Sequence, residues 1–251
     1  MRTDSIKRAA LAALVASATA LPVAAVAADS PISANVSIAS EYKYRGISQT
    51  NRKPALQGGF DYAHASGFYL GTWGSSISWL SDGAANVSSG VELDFYGGYK
   101  AKAGPIEFDV GLLQYYYPGT YPAGFTSPDT LEIYAAGSWQ MLTLKYSHSL
   151  TNLFGFTDSK GSGYIDLSAA FPVGQFTLKA HVGHQTVPAT TGRAKSDFSY
   201  SDWSVGVATQ YAGIDFGLSY IDTNAKTAFF TNAFGKDTGK GTVVLTVGKA
   251  F

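Results

Sequence analysis

Thr242-Val-Val-Leu-Thr-Val-Gly-Lys-Ala-Phe251 is the last stretch of the printed chain and decides the predicted fold. Counted back from Phe251 in steps of two, its residues are apolar except for one lysine. A period of two places this row on one face of a β-strand. About ten residues are also what a tilted strand needs to cross a bilayer. Because an exposed strand edge promotes aggregation, we expect this strand to pair with the first strand of a closed barrel.

A terminal strand of this kind resembles the C-terminal assembly signal of bacterial outer-membrane β-barrels. On that resemblance, the signal residues are Val243, Leu245, Val247 and Phe251. Lys249 departs from the pattern, which usually has an apolar or aromatic residue there. Near a membrane edge, a lysine can lay its stem along the apolar belt and place its amine among the headgroups. The alternative is the last strand of a soluble sandwich.

The first residues have the order of a secretory signal peptide. A basic start precedes an apolar run at 9–20, and small residues fit cleavage after Ala27 or Ala28. The run is too short to span a membrane as a helix. We therefore expect residues 1–28 to be a signal peptide and residues 29–251 to form the barrel domain.

Composition excludes several classes of function. Eighteen basic and eighteen acidic residues give no basic excess, so we expect no nucleic-acid partner. The chain has no cysteine, hence no disulfide framework and no thiolate chemistry. His181 and His184 are three residues apart, a spacing that suits a metal site on a helix but not on a strand. We expect no metal and no cofactor. Sixteen tyrosines, fifteen phenylalanines and 28 glycines are typical of an all-β chain with aromatic girdles.

Alternation of apolar and polar residues predicts twelve strands. They cover about residues 35–45, 55–63, 68–79, 91–100, 106–116, 131–139, 141–150, 164–171, 175–184, 202–211, 214–220 and 242–251.

The links between these strands are short and long in strict alternation. An up-and-down transmembrane β-barrel has this layout, with short periplasmic turns and long extracellular loops. A soluble sandwich has no reason to sort its links in this way. A soluble lipocalin-like barrel would instead hide the apolar face inside. The signal peptide, the terminal phenylalanine and the aromatic strand ends favour an antiparallel transmembrane barrel with its apolar face outside.

Charged residues lie on the face opposite the apolar rows, and we expect them to line the barrel interior. Acidic side chains outnumber basic ones in this set, and carboxylate rings favour cations. We expect four of the carboxylates, on the fourth and fifth strands, to crowd one wall. The candidate pore-lining residues are Glu41, Lys43, Arg45, Asp61, Glu92, Asp94, Glu107, Asp109, Glu132, Lys145, Asp166, Lys179, Asp202 and Asp215.

Three stretches carry a family resemblance. The run from Ser40 to Thr50, SEYKYRGISQT, together with residues 54–62 and 66–73, resembles the TorF family of bacterial porins. The resemblance implies an outer-membrane channel that is inserted by the barrel-assembly machinery and contacts outer-membrane lipid and lipopolysaccharide. It implies no substrate and no catalytic residue.

Glu41, Lys43 and Arg45 are spaced two apart, so we expect them on one face of the first strand near the outer mouth, with Asp61 as a partner. Charges of both signs on one wall can orient permeating solutes. They can equally form a structural salt-bridge ladder, and the sequence does not decide between the two.

Three functions compete. The first is a channel for passive diffusion of small hydrophilic solutes, with a preference for cations and a narrow or plugged pore, because twelve strands lie between filled and wide barrels. The second is a non-conducting structural or adhesive barrel filled by interior aromatic residues such as Tyr69 and Tyr134. The third is an outer-membrane lipid hydrolase, for which His148 is flanked by serines. Strand neighbours face opposite sides, and no Gly-x-Ser-x-Gly elbow occurs, so we expect no enzyme.

Overall fold

The computed structural model describes residues 30–189 and 192–251. Within this part, twelve antiparallel strands close into one barrel. The predicted signal peptide, residues 1–28, lies outside the described residues. The wall strands are β1 (Ile32–Ala39), β4 (Ala55–Ala63), β5 (Phe68–Ser76), β6 (Val91–Ala103), β7 (Ile106–Tyr116), β8 (Thr130–Trp139), β9 (Leu142–Ser149), β10 (Gly163–Val173), β11 (Phe176–Thr186), β12 (Tyr200–Tyr211), β13 (Ile214–Thr223) and β14 (Thr242–Ala250).

The seam of the barrel joins β1 to β14, as the terminal strand predicts. The register runs from Asn35 opposite Ala250 to Ala39 opposite Thr246. Phe251 extends the seam, because its backbone N–H donates to the carbonyl of Ala34 at 2.8 Å and its carbonyl accepts from the Ala34 N–H at 3.1 Å. Every other wall strand pairs with its neighbours along the chain. The up-and-down barrel is therefore confirmed.

The links are sorted by the two ends of the barrel. Short turns, the start of β1 and Phe251 lie at one end, which we call the turn end; the turns are 64–67, 104–105, 140–141, 174–175 and 212–213. Long links lie at the other, which we call the loop end; their described residues are 40–54, 77–90, 117–129, 150–162, 187–189, 192–199 and 224–241. The short helices α1 (Trp79–Gly83), α2 (Lys195–Phe198) and α3 (Thr227–Phe230) belong to these loops.

The hairpin between β12 and β13 shows a backbone geometry that suits a two-residue link. Ala212 and Gly213 both have positive φ, 49° and 76°. This is the pattern of a type I′ turn, whose twist matches that of the flanking strands.

The apolar rows lie on the outside of the barrel. On β14, Leu245 is 49% exposed, whereas its neighbour Val244 is 1% exposed. The same alternation follows the other wall strands, with apolar residues outward and mostly polar, small or aromatic residues inward. In the described ranges, no helix has the length and apolar character needed to cross a membrane.

The prediction for the first strand is wrong at its C-terminal end. β1 stops at Ala39, and the chain then turns into the barrel instead of continuing along the wall to residue 45. There it forms a hairpin of β2 (Lys43–Tyr44) and β3 (Ile47–Ser48). Arg45 and Gly46 form its turn, at φ values of 46° and 77°. Alternation alone cannot reveal such a reversal. We call residues 40–53 the inserted segment.

Candidate functional site

The structure places the predicted wall residues on the inner face of the barrel, at positions that alternate with the exposed apolar rows. Their role in lining a pore stays a prediction. The inward residues are Asp61, Glu92, Asp94, Glu107, Asp109, Glu132, Lys145, Asp166, Lys179, Asp202 and Asp215. The outward row of the last strand contains Val243, Leu245, Val247 and Phe251, all exposed.

Arg45 is buried inside the loop end and holds the inserted segment to the wall. Its Nη2 donates to both carboxylate oxygens of Glu132, at 2.7 and 3.0 Å, and its Nη1 donates to Gln185 Oε1 at 2.7 Å. The guanidinium also lies over the ring of Tyr164, 4.3 Å from the centroid, and near that of Tyr44 at 4.8 Å. Charge-assisted bonds and cation–π contacts are strong when desolvated. Arg45 is thus fixed in a guanidinium-binding pocket made by three strands.

The opposite side of the inserted segment is held by Tyr42. Its hydroxyl donates to Glu92 Oε1 at 2.7 Å, and Tyr117 donates to the other oxygen at 2.8 Å. Burial, reinforced by the charge of Glu92, raises the pKa of Tyr42 and of Tyr117 well above the usual range, so both phenols remain protonated donors. Asp94 lies on β6, as Glu92 does, and its Oδ1 has no hydrogen-bond partner among the described residues.

Glu41 and Lys43 do not lie on the wall, which corrects the prediction of a shared strand face. Lys43 Nζ donates to the carbonyl of Gly46 at 3.1 Å and to that of Lys240 at 2.7 Å. Burial lowers the pKa of Lys43, and the charge of Glu41 opposes that effect. Both Glu41 oxygens are buried and without a hydrogen-bond partner in the described part of the chain. The predicted partner Asp61 is also wrong, since it accepts from Tyr96 at 2.6 Å.

The last long loop, residues 224–241, is hydrogen-bonded to the inserted segment at the loop end. The Ser48 N–H donates to the carbonyl of Thr238 at 2.9 Å. Arg52 donates to the carbonyl of Asp237 at 2.8 Å, and Asn232 donates to Asn51 Oδ1 at 3.0 Å. The segment is therefore bonded to a loop as well as to the wall.

Gly46 seats the tip of the hairpin against the wall. A Cβ built at this position would overlap the Thr223 side chain and would lie 2.8 Å from Asp202 Cβ. Its φ of +77° is also one that L-residues rarely adopt. Only glycine fits both the turn and the close approach.

A second polar network occupies the inner face of β10 to β12. His181 lies between two carboxylates: Nδ1 contacts Asp166, and Nε2 is 2.7 Å from Asp202 Oδ1. The Tyr164 hydroxyl donates to both oxygens of Asp202, at 3.0 and 3.1 Å. Tyr164 also stacks on the guanidinium of Arg45. This network therefore fixes one wall of the guanidinium-binding pocket.

The predicted crowding of four carboxylates on one wall is wrong. Glu92 and Asp94 lie near the loop end of β6, whereas Glu107 and Asp109 lie near the turn end of β7, with Asp109 opposite Lys100. Six residues of strand, about 20 Å, separate the two pairs. Each turn-end carboxylate has a partner: the Tyr69 hydroxyl donates to Asp109 at 2.6 Å, and Lys102 lies 3.8 Å from Glu107.

Sequence reasoning missed Tyr42, Tyr164 and Gln185 as parts of the site. Gln185 shares the inward parity of Lys179 and His181, but the predicted strand stopped one residue too early. Tyr164 shares the parity of Asp166, so the same rule could have found it. No local pattern indicates the position of Tyr42, because the alternation of residues 35–45 predicts that it lies on a wall strand.

The other histidines show how the strand geometry separates neighbours. His181 faces inward, whereas His184 faces outward and lies 2.9 Å from Ser201 Oγ. His148 lies 3.5 Å from the Tyr146 hydroxyl, while Ser147 and Ser149 are buried on the other face. Among the residues that the structure describes, no group of three or more His, Cys, Asp or Glu side chains could hold a metal ion.

Comparison with known families places the chain in one of them. Residues 24–251 match the family described as "Bacterial protein of unknown function (Gcw_chp)". The chain belongs to this family. That description names no activity, and the TorF resemblance stays a prediction. No curated protein matches the sequence.

Solved structures that resemble this chain include a porin and an outer-membrane protein. The KdgM porin in complex with disordered oligogalacturonate is 8% identical, with a TM-score of 0.50 over 88% of this chain and 97% of that one. OprD from Pseudomonas aeruginosa is 11% identical, with a TM-score of 0.41 over 88% and 65%. Acinetobacter baumannii OccAB4 is 8% identical, with a TM-score of 0.44 over 79% and 53%, so this chain spans about half of its length. At 8% identity, the likeness to the KdgM porin shows the fold alone.

Proposed function

We propose that the protein is a porin-like channel of the bacterial outer membrane that passes small hydrophilic solutes. The observation that carries this proposal is the distribution of side chains on a closed barrel. Outward residues such as Leu245 are apolar and exposed, whereas inward residues such as Glu132 and Asp202 are charged. A closed barrel satisfies its backbone internally, which is what a lipid environment requires.

The orientation follows from the two ends. We propose that residues 1–28 direct export, that the short turns face the periplasm and that the long loops face outward. The outer wall then contacts outer-membrane lipid and lipopolysaccharide.

Insertion by the barrel-assembly machinery would use the outward row of β14. Deleting Phe251 removes the last two backbone hydrogen bonds of the seam and one exposed aromatic ring. We expect less folded barrel in outer-membrane fractions, measured by the mobility of unheated protein in gels. Deleting Phe234, an exposed loop residue, is the matched control. Equal barrel levels in the two deletions would refute the assembly role of Phe251.

A preference for cations is the finer part of the proposal. Carboxylates outnumber basic groups on the inner face, although several of them are engaged by tyrosine hydroxyls, His181 or Arg45. Twelve strands enclose less space than the sixteen of wide porins, so permeating ions pass close to these side chains.

The second candidate is a non-conducting barrel with a structural or adhesive role. The observation that favours it is the inserted segment, which fills the loop end together with aromatic residues. Tyr44 bonds to Tyr115 with 2.5 Å between their hydroxyl oxygens, and both rings pack on Phe154.

We propose no catalysis. His184 and Ser201 face outward and are the residue types of a base and its nucleophile. In the described part of the chain, the carboxylates that contact a histidine surround His181 and not His184. Without a third group to orient the base, such a pair is a poor nucleophile.

Planar-bilayer recording on refolded protein, with a phospholipid-hydrolysis assay on the same preparation, tests the proposal. A cation-preferring conductance without hydrolysis is expected. Silence in both assays would favour the filled barrel. Hydrolysis that disappears in Ser201→Ala would support an enzyme instead.

A further inference from the structure

We propose that the inserted segment is the constriction of the channel and that Arg45, held by Glu132, is its specificity-determining residue. This inference rests on the proposed channel function. It differs from the sequence prediction, in which Arg45 was one of many charges on an open wall.

The inserted segment spans the interior from wall to wall. At one side Tyr42 bonds to Glu92 on β6, and at the other Gly46 abuts β12 and β13. In the ring of twelve strands, β6 and β12–β13 lie on opposite sides. A solute that enters from the loop end must therefore pass beside this segment.

Arg45 and Glu132 balance each other's charge beside the inserted segment. Lys43, the other buried cation of the segment, donates to the loop carbonyl of Lys240. Arg45 instead reaches the inner wall, where Glu132, Gln185 and the Tyr164 ring hold its guanidinium. Removing Arg45 leaves the negative charge of Glu132, whereas removing the charge of Glu132 leaves that of Arg45.

Two substitutions at this ion pair should therefore have opposite effects. In a salt gradient, Arg45→Ala should raise the ratio of cation to anion permeability, and Glu132→Gln should lower it. In water, one unit charge about 4 Å from a permeating ion should change this permeability ratio roughly five-fold. The double variant should return close to the wild-type ratio. Refolding is checked for each variant by its mobility in unheated gels.

The seat of the segment gives a test that changes no charge. Gly46→Ala introduces a methyl group that collides with the wall, so the hairpin must shift and conductance should rise. Gly213→Ala is the matched control, because its φ of +76° equals that of Gly46 within a degree and nothing lies within 4 Å of its added Cβ. It carries the same backbone strain and should conduct like the wild type.

The pocket that Arg45 leaves should bind a free guanidinium ion. Millimolar guanidinium chloride should reduce the current through Arg45→Ala and leave that through Arg45→Ala/Glu132→Gln unchanged. Equal block in the two variants, or block in neither, would overturn the assignment of this ion pair to the permeation path.

The remaining outcomes separate the two proposals. If the wild type conducts and neither ion-pair variant nor Gly46→Ala changes conductance or selectivity, the constriction lies elsewhere and only this inference falls. If the wild type is silent but Gly46→Ala or Arg45→Ala conducts, the segment closes the channel and the inference stands. If no variant conducts, the channel function and the inference fall together.

Discussion

The loop end and the turn end of this barrel contain the same types of side chain in very different settings. At the loop end, the side chains of Arg45 and Glu132 are 7% and 2% exposed, and three further groups contact the guanidinium. At the turn end, the side chains of Lys102 and Glu107 are 74% and 26% exposed, at 3.8 Å. The difference shows that the loop-end pair is packed among other side chains, whereas the turn-end pair reaches solvent. It agrees with the proposal that the narrowest point lies at the loop end.

Removing the basic partner from each of the two ion pairs should give the largest difference in the free energy of unfolding. Breaking a buried pair by removing one partner costs about 3–5 kcal/mol, so Arg45→Ala should lower the free energy of unfolding by about that amount. An exposed pair contributes roughly 0–1 kcal/mol, so Lys102→Ala should have little effect. Urea unfolding of the barrel in lipid vesicles, followed by tryptophan fluorescence, measures both.

Similar destabilisation in the two variants would contradict the account. It would mean either that the contacts of Arg45 with Glu132 and Gln185 do not stabilise the fold or that the turn-end pair is as tightly packed as the loop-end pair.

A smaller contrast is expected for two tyrosines. Tyr42→Phe removes a buried donor from Glu92, and leaving such a group unsatisfied costs about 1–3 kcal/mol. Tyr211→Phe changes a side chain that is 77% exposed at the turn end and should leave stability unchanged. The same unfolding assay compares them. A neutral Tyr42→Phe would show that the hydroxyl does not hold the segment.

The smallest contrast concerns single carboxylates at the two ends. Asp94→Asn lies on the strand that carries Glu92, beside the inserted segment, whereas Asp109→Asn lies about 20 Å away. Salt screens charge over about 8 Å at physiological ionic strength, so only a charge near the narrowest point should act strongly. The reversal potential should shift more for Asp94→Asn, most clearly at low salt. A larger shift for Asp109→Asn would move the constriction to the turn end.

The wall of the barrel follows from local sequence, since each strand carries its own alternation. β7, for example, has the predicted bounds of 106–116. The course of the inserted segment does not follow from local sequence, because Glu41, Lys43 and Arg45 alternate with their neighbours as charged residues do in a wall strand. Its true course depends on contacts such as Arg45 with Glu132, 87 residues apart. A local pattern contains no information about such a contact. Only Gly46 hinted at a turn, and a glycine within a predicted loop is not distinctive.

Replacing residues 41–50 by a short Gly-Ser linker shows whether the inserted segment narrows the channel, because this change removes the hairpin and keeps the wall. Single-channel currents of this variant and of the wild type are compared in planar bilayers under a potassium chloride gradient. We expect a small cation-preferring conductance for the wild type and a several-fold larger one for the variant. Equal conductance in the two proteins, or silence in both, would contradict this expectation.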